Sequence, residues 1–189
     1  MNKTKRKIFE TSMSLFAKKG YDATSIEEIT SVVGVAKGTL YYHFSSKEEI
    51  FNFLVEEGMN LLKKSIRIKI SPENTSQGKL KAIILIQIKI IIKYEDFITI
   101  VLSQMLGNDS KSLTIQKYLF EYLKIIENIV EEGINNNEIS NAIDSSILAY
   151  SVFSFTCSSL LNKIKTNKPL DVNKLYNEYV NILIGNIFK

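Results

Sequence analysis

Apolar residues recur along this chain mostly at three- and four-residue spacing, the period of helices that each bury one face. Phe9, Met13 and Phe16, with Ile8 and Leu15 beside them, predict a first helix over 3–19. Gly20 stops it, and Lys18 and Lys19 sit favourably against its dipole. Ile26, Ile29 and Val33 predict a short second helix, with Thr24 as its cap and Glu27 completing a capping box. Gly34, free to take positive φ, suits a sharp reversal into a third helix over 36–44. On that helix Ala36, Leu40 and Phe44 fall inward, while Gly38 and Tyr42 fall on the opposite side. A fourth opens at Ser46, where Glu49 gives another capping box, and runs to about 67. It carries two apolar stripes, one of Ile50, Leu54 and Leu61 and one of Phe51, Val55 and Leu62, as a connector with different neighbours along its length would.

Beyond the linker SPENTSQG at 71–78, the stretch 79–94 is ambiguous, because Ile86-Gln87-Ile88-Lys89-Ile90 alternates as a strand does. Its sixteen residues without a turn signal favour a helix with a basic outer face of Lys81, Lys89 and Lys93 beside Leu85. Further helices are predicted over 96–106, 110–135 and 145–164, the last capped by Asp144 and broken at Asn167-Lys168-Pro169. A final one runs from its cap at Asp171 to the C-terminus. The expectation is an all-α chain of about nine helices. A three-helix helix-turn-helix domain occupies 1–46, and a larger helical bundle occupies 47–189.

The chemistry concentrates on the third helix. Lys37, Thr39, Tyr41 and His43 flank an outward face that carries Gly38 and Tyr42. A cation, a hydroxyl, two phenols and an imidazole around a residue without a side chain suit close approach to an anionic partner, as a recognition helix in a DNA major groove requires. An ordinary helical hairpin is the plainer alternative, but adjacent tyrosines are poor choices for a merely solvated face. Lys47, in the first turn of the fourth helix, opposes the dipole unless a phosphate sits there. Thr24 and Ser25 read first as capping residues.

The run Leu15-Phe16-Ala17-Lys18-Lys19-Gly20-Tyr21, with Gly34-Val35, Lys37-Gly38-Thr39-Leu40-Tyr41-Tyr42-His43-Phe44 and Ser46-Lys47-Glu48, resembles the N-terminal DNA-binding domain of the TetR family of bacterial repressors. The resemblance covers roughly the first quarter of the chain. Ala36 stands where the family often carries Ser. The resemblance implies a homodimer that reads a palindromic operator on double-stranded DNA and is released by a small-molecule effector. It also implies phosphate contacts from Thr24 and Ser25. Tyr42 and Lys47 would hold the backbone, and Lys37, Gly38, Thr39 and Tyr41 would approach the bases.

Composition narrows the alternatives. With 45% hydrophobic and 23% charged residues the chain is globular, and a net charge of +4 permits nucleic acid without demanding it. Lys3, Lys5, Arg6 and Lys7 cluster beside the motif. One cysteine cannot form an intrachain disulfide, and one histidine argues against a His-rich metal site. No nucleophile–base–acid set attends His43, so neither an enzyme nor a cofactor is expected. Cys157 reads as a core filler. The N-terminus lacks a signal-peptide pattern and the run over 82–92 is too short to span a bilayer, which together predict a cytoplasmic protein with no membrane partner.

Gln87, Gln104 and Tyr122 lie on or beside apolar stripes, and buried polar groups need partners that a ligand can supply. The candidate effector cavity is lined by Ile88, Phe97, Val101, Gln104, Leu119, Tyr122 and Phe153. Its character predicts an apolar or amphipathic effector, drug-like or acyl-chain-like, in preference to a sugar or nucleotide. As the resemblance implies, and as their length and apolar stripes allow, the last two helices are expected to form the dimer seam, with Phe153, Leu160, Leu175, Tyr179 and Ile182 as candidates. An effector-independent regulator or activator without a cavity, and a helical module for a protein or membrane partner, are the alternative functions.

Overall fold

The computed structural model describes residues 2–166 and 169–188. Among these the chain forms nine helices and no strand: α1 Lys3–Lys19, α2 Ile26–Val33, α3 Lys37–His43, α4 Lys47–Ile70, α5 Ser76–Lys93, α6 Glu95–Gln104, α7 Ser110–Asn135, α8 Ser145–Lys165 and α9 Val172–Ile184. A single antiparallel bridge joins Ile139 to Phe188. The ambiguous stretch after the linker is helical, and its Ile83, Ile84, Ile88 and Ile91 are buried at helical spacing.

Local signals explain most boundaries. Asp144 Oδ1 accepts the Ile147 N–H at 2.9 Å to open α8, and Asp171 Oδ1 accepts those of Asn173 and Lys174 at 3.0 Å to open α9. At α4, Ser46 Oγ accepts from Glu49 N–H at 3.0 Å, while Glu49 Oε2 reaches back to the backbone and hydroxyl of Ser45. Two expectations need correcting. Ser25, not Thr24, caps α2, its Oγ accepting from Glu28 N–H at 3.0 Å. Ala36 is the exposed residue before α3 and does not point inward. The predicted break at Asn167-Lys168 lies outside the described residues.

The helices form two compact units, 1–58 with 96–118, and 59–95 with 119–189. In the first, α1, α2 and α3 pack on one another, and Ile8, Phe16, Ile29, Leu40, Phe44, Phe51 and Leu54 are buried. The first turns of α4 therefore belong with the N-terminal helices, beyond the expected division after residue 46. The later segment joins the same unit through Lys111, whose ammonium lies 3.6 Å from Asp22 and 4.6 Å from the Tyr21 ring centroid. Phe97 packs against Gly58 so closely that a Cβ there would fall 2.4 Å from its ring. In the second unit α5 packs on α8 and α9, and α8 on α9. The face of α4 that buries Ile50 and Leu54 is solvent-facing again at Leu61. By length and composition α8 could cross a membrane, but its Leu148, Val152, Phe153 and Leu160 are buried in this unit's core.

Candidate functional site

Two packed helices and a tight turn present the outward face of α3. Gly34 ends α2 in the left-handed conformation, φ 76° and ψ 42°, which an L side chain adopts only with strain. Leu40 anchors α3 from below and is fully buried. Opposite it, Tyr42 is 83% and Tyr41 45% exposed, an outlay of aromatic surface that the protein's own core does not explain. Lys37, Gly38 and Thr39 are exposed and His43 is half-buried, with its ring 5.0 Å from that of Tyr42. A Cβ added at Gly38 would meet nothing within 4 Å, so this glycine leaves room for something outside the protein.

The charges around this face are partly committed. Lys37 Nζ pairs with Glu27, which holds the carboxyl below the usual range and the ammonium above it. Lys7 Nζ donates to the Val33 carbonyl at 2.7 Å, and Arg6 pairs with Glu10 at 2.9 Å. Lys5 lies over the rings of Phe44 and Phe53, at 4.8 and 4.5 Å. The Lys47 ammonium donates to the carbonyls of Tyr21 at 2.9 Å and Thr24 at 2.8 Å, and sits 4.2 Å from the Tyr21 ring centroid. It ties α4 to the α1–α2 turn, a role with no mark in the local sequence. Thr24 is buried, with its hydroxyl donated to the Gly20 carbonyl at 2.9 Å, while Ser25 is exposed.

The seven residues expected to line an effector cavity divide between the units. Phe97 and Val101 are buried in the first, where Gln104 Oε1 accepts from the Ser112 hydroxyl at 3.5 Å. Ile88, Leu119, Tyr122 and Phe153 are buried in the second. There Gln87 Nε2 donates to the Tyr122 hydroxyl, and the Tyr122 ring stands 5.5 Å from that of Phe153. Full burial pushes the Tyr122 phenol far above its usual range, so it stays protonated. The Cys157 thiol is pushed up likewise. On the other side of α5 a groove of about 380 Å³ is lined by Lys69, Lys81, Lys89, Leu85, Ile86 and Tyr176, among others.

Four of the five residues expected at a dimer seam are committed elsewhere. Phe153, Leu160, Leu175 and Tyr179 are buried within the chain, and the Tyr179 hydroxyl donates to Ser159 at 2.9 Å. Ile182 alone of the five is open, at 63% exposure. The exposed apolar side chains of α8 are instead Ile147 and Tyr150, at 66% and 50%.

Comparison with known proteins adds a family to this geometry. The chain is 25% identical to the fatty acid metabolism regulator protein of Bacillus subtilis over 182 residues, covering 95% of this chain and 93% of that protein. A Clostridium perfringens structure, described provisionally as a fatty acid metabolism regulator, is 35% identical with a TM-score of 0.87, covering 97% of this chain and all of that one. The fold also matches FadR from Bacillus subtilis in complex with stearoyl-CoA, at TM-score 0.82 and 23% identity over 96% and 98% of the two chains. The family model for bacterial regulatory proteins, tetR family, matches residues 8–54, and that for the YsiA-like protein C-terminal region matches 55–186. The open face of α3 lies within the first match and the Gln87–Tyr122 core within the second. This chain accordingly belongs to the tetR family of bacterial regulatory proteins and is a DNA-binding transcriptional regulator.

Proposed function

We propose that this chain is a cytoplasmic, homodimeric repressor that a long-chain acyl-coenzyme A releases from its operator. The observation that carries the reading is likeness over nearly the whole chain, effector half included, to fatty acid regulators, one of them solved with stearoyl-CoA. The second unit is consistent with it. Its interior is built mainly from Ile, Leu, Phe and Tyr, with few polar side chains. An apolar lining with few polar groups is the kind of surface that receives an alkyl chain.

This effector differs in one respect from the sequence expectation, which set nucleotides aside on the apolar character of the cavity lining. That reasoning concerns only what is buried. The phosphates of a coenzyme can stay at the surface, where Lys69, Lys81 and Lys89 share a groove without an ion pair among the described residues.

On DNA, Lys37, Gly38, Thr39 and Tyr41 approach base edges, while Ser25, Tyr42 and His43 meet the backbone. Thr24 and Lys47 act from behind by holding the turn that carries Ser25. The Glu27 carboxylate gives up Lys37 to the operator. An effector releases the duplex only as far as it prefers the DNA-incompetent state.

Fluorescence anisotropy on a labelled duplex from the DNA flanking this gene tests the reading. Micromolar stearoyl-CoA should abolish the operator signal, and coenzyme A without an acyl chain should not. Release by phosphorylated or polyhydroxy compounds without an acyl chain, and not by acyl-CoA, would overturn it.

A further inference from the structure

The core of the second unit holds polar atoms that its own packing leaves unanswered. Gln87 on α5 is 2% exposed and donates its Nε2 to the Tyr122 hydroxyl, yet its Oε1 has no partner among the described residues. On α8 Thr156 is fully buried, and its hydroxyl is also without a partner. Thr156 lies about one turn beyond Phe153, whose ring meets that of Tyr122, and next to the buried Cys157. Gln87 and Tyr122 thus meet in an otherwise apolar interior, and Thr156 is buried on the helix whose Phe153 ring adjoins Tyr122. A buried polar group without a partner costs roughly 1–3 kcal/mol, and a well-packed Leu, Phe or Val at these positions would avoid that cost.

The polarity of the cluster is specific. Because Gln87 already donates to the phenol oxygen, the Tyr122 proton is free to point elsewhere. Tyr122 and Thr156 therefore offer two O–H donors, and Gln87 Oε1 offers one acceptor. No cation belongs to the set. Lys63 and Lys79, half-buried on this unit, are paired with Glu121 and Glu132. An ionised carboxylate would be desolvated here without a counter-charge, whereas a neutral carbonyl would be well received.

An acyl-coenzyme A carries such a pattern: a thioester carbonyl that accepts, and a few bonds away a pantetheine amide N–H that donates. We infer that Gln87, Tyr122 and Thr156 form the specificity-determining polar anchor for the effector, with the two hydroxyls donating to the thioester oxygen and Gln87 Oε1 accepting the neighbouring amide N–H. The inference rests on the acyl-CoA reading above and adds to it the atoms by which an acyl thioester is told from a free fatty acid.

The test compares stearoyl-CoA with its thioether analogue, S-octadecyl-CoA, which keeps the chain and the coenzyme but lacks the carbonyl. Calorimetric titration of the full chain should show the thioester bound about tenfold tighter, the scale of one or two neutral hydrogen bonds. Tyr122→Phe and Thr156→Val should each shrink that preference severalfold. Both should keep the wild-type affinity for operator. Thr156→Val should not melt below the wild type by much, since it removes an unanswered hydroxyl, whereas Tyr122→Phe should melt somewhat lower, since Gln87 Nε2 loses its acceptor. Equal binding of the two ligands by the wild-type protein would sink the anchor and leave the acyl-CoA reading standing. So would a full preference retained by both variants. Failure of the wild type to bind either ligand would remove the reading and the anchor together.

Discussion

Gly38 and Lys47 both sit in the motif, and the structure separates their roles. A valine side chain at Gly38 begins in open space, so Gly38→Val should leave the melting temperature nearly unchanged while abolishing operator binding through bulk at the interface. Lys47 is the reverse case. Its two hydrogen bonds to carbonyls lie 23 and 26 residues back in sequence, and charged hydrogen bonds of this kind contribute about 1.5–3 kcal/mol each when well formed. Lys47→Ala should therefore lower thermal stability measurably and weaken DNA binding through a loosened α1–α2 turn. A direct phosphate role alone would instead leave the melting temperature intact and flatten the dependence of affinity on salt. Thermal melts alongside binding in a salt series distinguish the two.

At the scale of elements, the start of α7 makes a pH-dependent contribution. Asp109 Oδ1 accepts the Ser112 N–H at 2.8 Å, and Lys111 lies 3.1 Å from its carboxylate. The Ser112 backbone first, then the Ser112 side chain and Lys111, hold this carboxyl at about 2 against the usual 3.8. A depressed carboxylate stabilises the fold fully above its unfolded value, and that contribution is lost as pH falls through the folded one. Asp109→Asn should accordingly shrink the loss of stability between pH 4 and pH 2, as followed by circular dichroism during acid titration. Elements like this were well marked in the sequence: caps at Ser46, Asp144 and Asp171, the Gly34 reversal and the helical period fixed most boundaries within a few residues. The open face of α3 was legible for the same reason, because Leu40 and Phe44 had to point inward. The partners of apolar residues were not legible. On α8 the sequence offers Phe153 and Leu160 as readily as Ile147 and Tyr150, and only packing tells which are consumed by the chain's own core. Lys47's acceptors, being backbone atoms of a distant turn, leave no trace in side-chain identity.

For the whole molecule, the exposed apolar positions of α8 and α9 are the candidate seam of the homodimer proposed above. Ile147, Tyr150 and Ile182 are open, in a chain whose other large apolar side chains on these helices are mostly buried. A two-fold dimer presents two copies of α3 to successive major grooves, and its affinity collapses when the pair is broken. Tyr150→Glu with Ile182→Glu should convert the protein to a monomer in sedimentation velocity at micromolar concentration, with operator binding lost and the far-ultraviolet spectrum preserved. A double variant that stays dimeric would place the seam elsewhere.

The unit that holds α1, α2 and α3 is assembled from 1–58 and 96–118, with a long insertion in between. Proteins emerge from the ribosome N-terminus first, and a unit can close only when its last segment is available. The DNA-binding helices therefore leave the ribosome well before Phe97, which packs on Gly58, and Lys111, which reaches Tyr21 and Asp22. Until then Gly58, Tyr21 and Asp22 are without those neighbours. A nascent chain of this protein cannot acquire its finished operator-binding unit while most of α5 and α6 is still being made, so competence for DNA arrives late in synthesis although its residues are encoded first.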